Sequence, residues 1–228
     1  MTLSPSSELN LENKSAWDHL YASTPDLIWG REPIAFLPRC LPRAADLPAG
    51  AVLDAAAGEG RNLPVLLTLG RPLTACDSSA AALAKIPAAL RERVTTLTCD
   101  LGGVPLPAAS FAFILLSDVV ETLPAPAPIM AELFRLLVPG GLLLTNIPSD
   151  DDGIAGVEMN PVSGGGWLYR GRYFYRFYNR REAEGLLTGA GFELVSDDVC
   201  SWLEAAHPHF REQSHQHRSQ VLLVRRPG

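Results

Sequence analysis

A short glycine-containing segment holds residues whose types and spacing suit the binding of a ligand. Ala51–Asn62 runs from a predicted buried strand into an apolar helical pattern, and it contains Asp54, Gly58 and Gly60. Glycine permits unusual backbone angles and lets a ligand approach the main chain closely. The N–H groups at the start of the following helix favour a negative group on the ligand, whereas Asp54 repels a phosphate. The segment favours a ligand that carries both a carboxylate and an ammonium group.

Two further aspartates follow the next two predicted strands. Asp77 follows the second strand and Asp100 follows the third, and the carboxyl ends of parallel strands meet at one edge of a sheet. A carboxylate at Asp77 suits hydrogen bonds from both hydroxyls of a ribose, and Asp100 is placed to meet an adenine amino group. Each acid also fits a turn or a helix cap, but three acids in register indicate an adenosine-containing ligand.

A dinucleotide such as NAD and S-adenosylmethionine are the two alternatives for that ligand. A dinucleotide site needs the spacing G-x-G-x-x-G, and the third glycine position holds Leu63. An acid at the end of the first strand also opposes a pyrophosphate. S-adenosylmethionine carries no phosphate, and its amino-acid end needs partners for a carboxylate and an amine, so the segment favours it.

Alternating strand and helix patterns predict the elements that position these residues. Short apolar or alternating runs predict strands, and apolar residues at helical spacing predict helices. The fold class is therefore α/β: a Rossmann-like, seven-stranded, mostly parallel sheet with helices on both faces and an antiparallel last strand. The predicted strands cover 52–54, 72–76, 94–99, 111–117, 142–147, 191–196 and 220–224, and the predicted helices cover 15–20, 34–41, 60–69, 79–90, 129–137 and 180–188.

Three regions lie outside this alternation. Residues 1–13 are polar, and we expect them to be mobile. Residues 148–166 are acidic and rich in glycine, which is typical of a loop. Residues 167–178 alternate aromatic and basic side chains with period two, which predicts one extended segment with an aromatic face.

Size and composition limit the classes of partner. The chain has 228 residues, 47% hydrophobic and 19% charged, which predicts one α/β domain with a substantial core. A net charge of −6 gives no general attraction to nucleic acid or anionic lipid. The four cysteines are scattered, and neither a targeting signal nor a membrane-spanning run is visible, so we expect reduced thiols and a cytoplasmic location. The sequence indicates no oligomeric state.

The chain resembles class I S-adenosylmethionine-dependent methyltransferases over about residues 50–148, and more loosely elsewhere. The matching segments are the glycine-rich first motif, the two acidic positions, the segment after the fourth strand and the turns before the fifth and sixth strands: Val52–Gly60, Asp77, Asp100–Leu101, Ser117–Glu121, Leu137–Gly141 and Ala190–Phe192. Together with Trp29–Pro33, the segment Gly58–Asn62 is similar to the small-molecule branch that includes tellurite-resistance and thiopurine-type methyltransferases.

The resemblance implies S-adenosylmethionine as the cofactor and transfer of its methyl group to a small-molecule acceptor by in-line displacement. It implies an N-terminal arm with helices at 1–50 that cover the donor site, and a methyltransferase domain at 51–228 with a substrate-cover insertion at about 148–178. We expect no metal, nucleic acid or membrane partner. The implied donor-site residues are Trp29, Asp54, Ala56, Gly58, Gly60, Asn62, Asp77, Ser78, Asp100, Leu101, Ser117, Asp118 and Val119.

Two positions depart from the family pattern. Ala56 stands where the family usually has its first glycine, which we expect to be compatible with binding if the backbone φ angle there is negative. Ala112 replaces an acid that is common in the fourth strand. These departures keep open a second function, a donor-binding but non-catalytic relative that acts as a regulatory or scaffold protein. An RNA or protein methyltransferase is a further alternative.

A general base is needed only if the acceptor must lose a proton. The sequence does not choose among the candidates, which are Asp118, Glu121, Tyr169, Tyr173, His207, His209, His215 and His217. The two H-x-H pairs among them also fit a metal site, but we expect a solvated loop there. The arginines of residues 167–181 fit either single-stranded nucleic acid or a solvated face that covers a small acid, and the net charge favours the latter.

Overall fold

A computed structural model describes residues 5–207 and 209–228 of the chain. The strands are, in chain order, β1 (Ala51–Ala55), β2 (Leu73–Asp77), β3 (Thr95–Thr98), β4 (Phe111–Leu116), β5 (Leu137–Pro148), β6 (Met159–Pro161), β7 (Trp167–Tyr169), β8 (Tyr173–Tyr175), β9 (Glu193–Glu204) and β10 (His215–Arg225). The α-helices are α1 (Pro5–Ser23), α2 (Leu37–Cys40), α3 (Leu63–Leu66), α4 (Ala80–Ala84), α5 (Ala88–Arg91), α6 (Ala127–Leu136) and α7 (Arg180–Thr188).

Seven strands form the central sheet in the order β3-β2-β1-β4-β5-β10-β9. The pairs from β3 to β5 are parallel, and β10 runs antiparallel to both β5 and β9. The predicted fold class is confirmed. Among the described helices, none has the length and apolar character needed to cross a membrane.

The core lies on both faces of this sheet because its central strands are buried on both sides. Every residue of β4 is buried, as its continuous apolar run predicts. Successive side chains of a strand point to opposite faces, so Val52 and Leu115 belong to one apolar cluster and Leu53 and Ile114 to the other. The sheet therefore holds the carboxyl ends of β1, β2 and β4 rigidly at one edge.

Several predicted helices are shorter in the structure. The pattern at 60–69 gives α3 followed by a 3₁₀ turn at Leu67–Leu69, which Gly70 ends with φ 65°. The helix predicted at 79–90 is interrupted near Pro87, as the sequence predicts, because proline breaks the helical hydrogen-bond pattern. It is divided into α4 and α5, with Pro87 immediately before α5. Asn179 caps α7, because its side chain accepts a hydrogen bond from the Glu182 N–H at 3.0 Å.

The expectation of a mobile N-terminus is wrong from Pro5 onward, because α1 begins there; residues 1–4 lie outside the described residues. Tertiary contacts hold this polar helix. Asn13 is buried, donates to the Thr122 carbonyl at 2.7 Å and accepts from the Phe174 N–H at 2.9 Å. Such partners lie far away in sequence, so a local pattern does not reveal them.

The region at 148–178 is more regular than predicted. Residues 159–161 form β6, which joins β7 and β8 in a three-stranded antiparallel sheet. The segment 167–178 is a hairpin with a turn at Gly171 (φ 69°), and not one extended strand. The aromatic face persists because the turn pairs Trp167 with Tyr175 and Tyr169 with Tyr173, which keeps all four rings on one side.

Candidate functional site

A cavity of about 190 Å³ opens at the carboxyl edge of β1, β2 and β4. Its walls also include residues of α1, the segment before α2, β8, β10 and the β9–β10 connection. All predicted donor-site residues except Asp54 and Gly60 line this cavity. Their roles toward a ligand stay predictions, but the tertiary structure brings them together around one space.

The glycine turn is tied to the carboxylate of Asp77. The Gly58 N–H donates to Asp77 Oδ2 at 2.8 Å, and the Ser79 N–H donates to Oδ1 at 2.8 Å. Burial raises the pKa of Asp77, against the effect of these backbone hydrogen bonds. Each oxygen keeps capacity for a further donor, so Asp77 can hold the turn and still accept from a ribose hydroxyl.

Gly60 serves helix packing and not the cavity wall. Its φ is 82°, and a Cβ atom there would lie 2.8 Å from Leu63 Cδ1 and 3.1 Å from Ile86 Cγ1. A side chain would therefore displace α3 from the turn.

Ala56 has φ 58°, so the negative angle on which its compatibility with binding was made conditional is absent. The left-handed conformation costs a residue other than glycine about 1–2 kcal/mol. Ala56 nevertheless lines the cavity. The first turn of the site is therefore held under backbone strain by the contacts around it.

Asp54 lies behind the turn and is only 1% exposed. One carboxyl oxygen has no hydrogen-bond partner among the described residues. Burial and then the charge of Asp77 raise the pKa of Asp54 to about 8. A neutral carboxyl at this depth does not supply the negative charge that we expected for an ammonium group.

Glu59 and Asn62, within the turn, fix the segment before α2 over the cavity. Glu59 Oε2 accepts from the N–H groups of Ile28 at 2.8 Å and Trp29 at 3.2 Å, and Asn62 Oδ1 accepts from the Ile34 N–H at 3.0 Å. Sequence reasoning missed Glu59 because its partners lie about 30 residues away, with no spacing rule to connect them.

Asp118 is held from two sides. Asn146 Nδ2 donates to its Oδ1 at 2.8 Å, and Arg61 Nη2 donates to its Oδ2 at 2.6 Å. Arg61 also donates to Glu204 at 3.0 Å, so it joins the glycine turn to the end of β9. This carboxylate is oriented by its partners, and sequence reasoning named neither Arg61 nor Glu204.

Glu121 is the other predicted carboxylate in the cavity. It is buried, and its Oε2 has no partner among the described residues. Burial, followed by the charges of Asp118 and Asp152, raises the pKa of Glu121 well above its ordinary value. Burial therefore favours the protonated, neutral form of this group.

Three other predicted base candidates lie outside the cavity. Tyr169 donates its hydroxyl to the Phe210 carbonyl at 2.9 Å. Tyr173 and His209 line a separate surface depression beside Arg170 and Arg172. Tyr175, which was not a candidate, lines the cavity instead, because the β7–β8 turn brings the opposite end of the hairpin inward.

The expectation of a solvated loop for the remaining histidines is wrong. His207, His215 and His217 all line the cavity, since β9 and β10 extend well beyond their predicted ends. His207 Nδ1 lies 3.1 Å from the Ile28 carbonyl. Burial lowers the pKa of His207 to about 4, so its ring is neutral at neutral pH.

His215 and His217 form a hydrogen-bonded pair connected to Asp152. Their Nε2 atoms are 3.1 Å apart, and His217 Nδ1 lies 3.1 Å from Asp152 Oδ2. Burial lowers the pKa of His215, which favours its neutral ring. Its Nδ1 lies 3.0 Å from the Gln213 carbonyl and donates there, so the Nε2 of the neutral ring is an acceptor. His217 must then donate from both nitrogens, which assigns it the imidazolium form.

We expect Asp152→Asn to lower the pKa of His217 by about 1. Burial alone lowers this pKa, but the hydrogen bond and charge of Asp152 outweigh burial and hold it above 6.5. A raised pKa in the folded protein stabilises the fold below pH 6.5, and this contribution is lost as the pH rises through the folded value. An NMR titration of the histidine rings measures the change, with the signals of exposed His19 as internal control.

The stability of Asp152→Asn at two pH values distinguishes the Asp152–His217 ion pair from a structural role of Asp152 that does not depend on charge. Denaturation should show a loss of about 2 kcal/mol at pH 5.5 and a smaller loss at pH 8.5. Equal losses at the two pH values, with an unmoved His217 titration, would contradict the assignment of a charged His217.

The chain is similar to proteins of one kind. Residues 53–145 match a family described as a methyltransferase domain. A probable S-adenosylmethionine-dependent methyltransferase of Mycolicibacterium smegmatis is 30% identical over 145 residues, 63% of this chain and 52% of that protein. Another from Mycobacterium tuberculosis is 27% identical over 196 residues, 85% of this chain and 65% of that protein. The chain thus spans about half of the first relative and under two thirds of the second.

A solved structure shares the fold. The structure of 1,6-didemethyltoxoflavin-N1-methyltransferase from Burkholderia thailandensis, with bound 1,6-didemethyltoxoflavin and S-adenosylhomocysteine, has a TM-score of 0.72 at 21% identity. The match covers 100% of this chain and 93% of that chain. These similarities confirm the resemblance to S-adenosylmethionine-dependent methyltransferases, and the solved structure confirms the fold. The small-molecule branch within the class stays a prediction.

Proposed function

We propose that this chain, which has the class I methyltransferase fold and contains a methyltransferase domain, transfers the methyl group of S-adenosylmethionine to a small-molecule acceptor. The observation that carries the proposal is the convergence on one cavity of the glycine turn, Asp77 and Asp100. Each comes from the end of a different parallel strand. Fold alone does not determine function, so the proposal depends on this site.

The residues around the glycine turn fit the donor. Gly58 presents its backbone with φ 53° at the cavity wall, and a Cβ atom there would meet the Tyr21 hydroxyl at 3.1 Å. Asp77 would accept from the ribose hydroxyls, and Asp100 would face the adenine. Asp100 accepts from the Gly102 N–H at 2.8 Å and pairs with Lys14, which fixes its carboxylate at the rim.

The bound donor supplies an electrophilic methyl group, whose bond to sulfur breaks as its bond to the acceptor atom forms. The task of the protein is to align the acceptor and exclude water. We assign the exclusion of water to the N-terminal arm, of which Ile28 and Ile34 are held by Glu59 and Asn62. The cover at 148–178 contributes Ile154 and Tyr175 to the cavity wall.

The acceptor side offers two proton acceptors of different kind. Asp118 is an oriented carboxylate at the cavity wall, and His207 has a neutral ring whose Nε2 lies 3.5 Å from Glu204 Oε1. Both are placed to take a proton from an acidic acceptor group. Glu121 also lines the cavity, and burial favours its protonated form.

Calorimetry with S-adenosylmethionine and S-adenosylhomocysteine tests donor binding directly. We expect both to bind, and a panel of thiol, amine, hydroxyl and carboxylate acceptors to release S-adenosylhomocysteine from the donor. Absence of donor binding would refute the proposal. Donor binding without turnover on any acceptor would favour the alternative, a non-catalytic regulatory or scaffold protein.

A further inference from the structure

Arg211 places a buried positive charge in the cavity without a counterion from the chain. Its side chain belongs to a residue only 7% exposed, and it lines the cavity. Its Nη2 has no hydrogen-bond partner, and no carboxylate lies within ion-pair distance of it in the parts of the chain that the structure describes. Arginine does not lose its proton in proteins, so the charge persists.

Three carboxylates in or beside the cavity have cationic partners. Asp118 and Glu204 both pair with Arg61, at 2.6 and 3.0 Å. Asp152 pairs with His217 at 3.1 Å. Burial raises the pKa of Glu121, which also lines the cavity, and favours its neutral form. The guanidinium carbon of Arg211 lies 4.3 Å from the centroid of the Tyr169 ring, and a cation–π contact of this kind offsets only part of the cost of a buried unpaired charge.

The surroundings of Arg211 come from the acceptor side of the cavity. It lies close enough to Tyr175 and His215 for its charge to act on both groups. These residues belong to β8 and β10, whereas the donor-site acids follow β1, β2 and β3. An anion at Arg211 would thus be separate from the ribose and adenine partners.

The wall next to Arg211 is aromatic. The ring of Phe210 lies 5.2 Å from Trp17 and 5.5 Å from Trp29, and Trp29 meets the edge of His207 at 4.9 Å. Trp17, Trp29, His207 and Phe210 all line the cavity. Such surfaces accept planar rings in stacked or edge-on arrangements.

We propose that Arg211 binds the carboxylate of a planar aromatic acceptor. The inference rests on the proposed function, since it names the acceptor class of the same cavity. A bidentate pair between guanidinium and carboxylate is strong in a site that excludes water. The carboxylate of the ligand thus serves as the counterion of Arg211. An acceptor that carries no negative charge should therefore bind more weakly.

Matched acids and amides test this inference. The protein is saturated with S-adenosylhomocysteine, and binding of hydroxybenzoates, aminobenzoates and naphthoates is compared with that of the corresponding carboxamides through the fluorescence of Trp17 and Trp29. We expect at least one acid to bind about tenfold or more tightly than its amide. Arg211→Gln should remove this preference, Arg211→Lys should retain part of it, and the exposed control Arg181→Gln should leave it unchanged.

Other outcomes overturn the inference. These are equal binding of every acid and its amide, no binding by any acid, and a preference that survives in Arg211→Gln. If Arg211→Gln instead weakens S-adenosylhomocysteine as much as the acids, Arg211 serves the donor or the fold, and the inference also fails. Because S-adenosylhomocysteine binding is measured first in the same samples, failure of the proposed function is recognised separately as absence of donor binding.

Discussion

Asp77→Ala is expected to weaken binding of S-adenosylmethionine by about 100-fold, which corresponds to about 2.7 kcal/mol. The carboxylate accepts from the Gly58 and Ser79 N–H groups, both at 2.8 Å, and each hydrogen bond to a charged group contributes about 1.5–3 kcal/mol. Removing it releases the glycine turn and deletes the proposed acceptor for the ribose hydroxyls. Isothermal titration calorimetry measures the change.

Two further variants test whether the loss of affinity in Asp77→Ala is due to the carboxylate at this position. Asp77→Asn keeps the shape and one acceptor oxygen, so we expect a loss of about tenfold, between the intact protein and the alanine variant. Asp198→Ala removes an exposed carboxylate from β9 and should leave the affinity unchanged. Binding by Asp77→Ala within about threefold of the intact protein would show that the donor does not use this edge of the sheet.

Glu59→Ala is expected to lower the free energy of unfolding by about 3–5 kcal/mol. The Glu59 carboxylate is buried, accepts from the N–H groups of Ile28 and Trp29, and pairs with Lys85 Nζ at 3.1 Å. Its removal leaves two backbone donors and one cation without their partner. Because the same contacts fix Trp29 at the cavity, we expect donor affinity to fall together with stability. Chemical denaturation and calorimetry on the same samples give both quantities.

The contribution of the Glu59–Lys85 ion pair is separated from that of the backbone contacts by a double-mutant cycle with Lys85→Ala. The exposed control Glu12→Ala, on α1, should change the free energy of unfolding by less than about 0.5 kcal/mol. A loss below about 1 kcal/mol in Glu59→Ala would mean that the N-terminal arm is held by its apolar contacts alone.

Much of the fold could be predicted because the spacing of apolar residues within a short segment shows which of its side chains are buried. The continuous apolar run of β4 and the acids after β1, β2 and β3 follow from rules that need only neighbouring residues. The ends of β9 and β10 were missed for the opposite reason. Their outer halves carry polar residues such as Asp198 and His215, and they are strands because they pair with each other, as Glu204 does with His215.

The predicted donor-site residues other than Asp54 and Gly60 line one cavity for the same local reason. Two features of the site are not revealed by the sequence. Asp54 is drawn behind the turn, where burial and Asp77 raise its pKa to about 8. Ala56 adopts φ 58° although it is not glycine. Both features depend on how tightly the turn packs beneath Tyr21 and Asp77, and local sequence does not encode that packing.

The sequence by itself determined the strand–turn–helix unit and the edge at which the acids gather, because both depend on backbone geometry and on spacing along the chain. Only the tertiary structure decided which distant side chains meet there. The arm held by Glu59, the His215–His217 pair connected to Asp152 and the unpaired charge of Arg211 arise when segments far apart in sequence pack around one cavity. Burial then sets the protonation and charge of each group, and no local pattern contains that information.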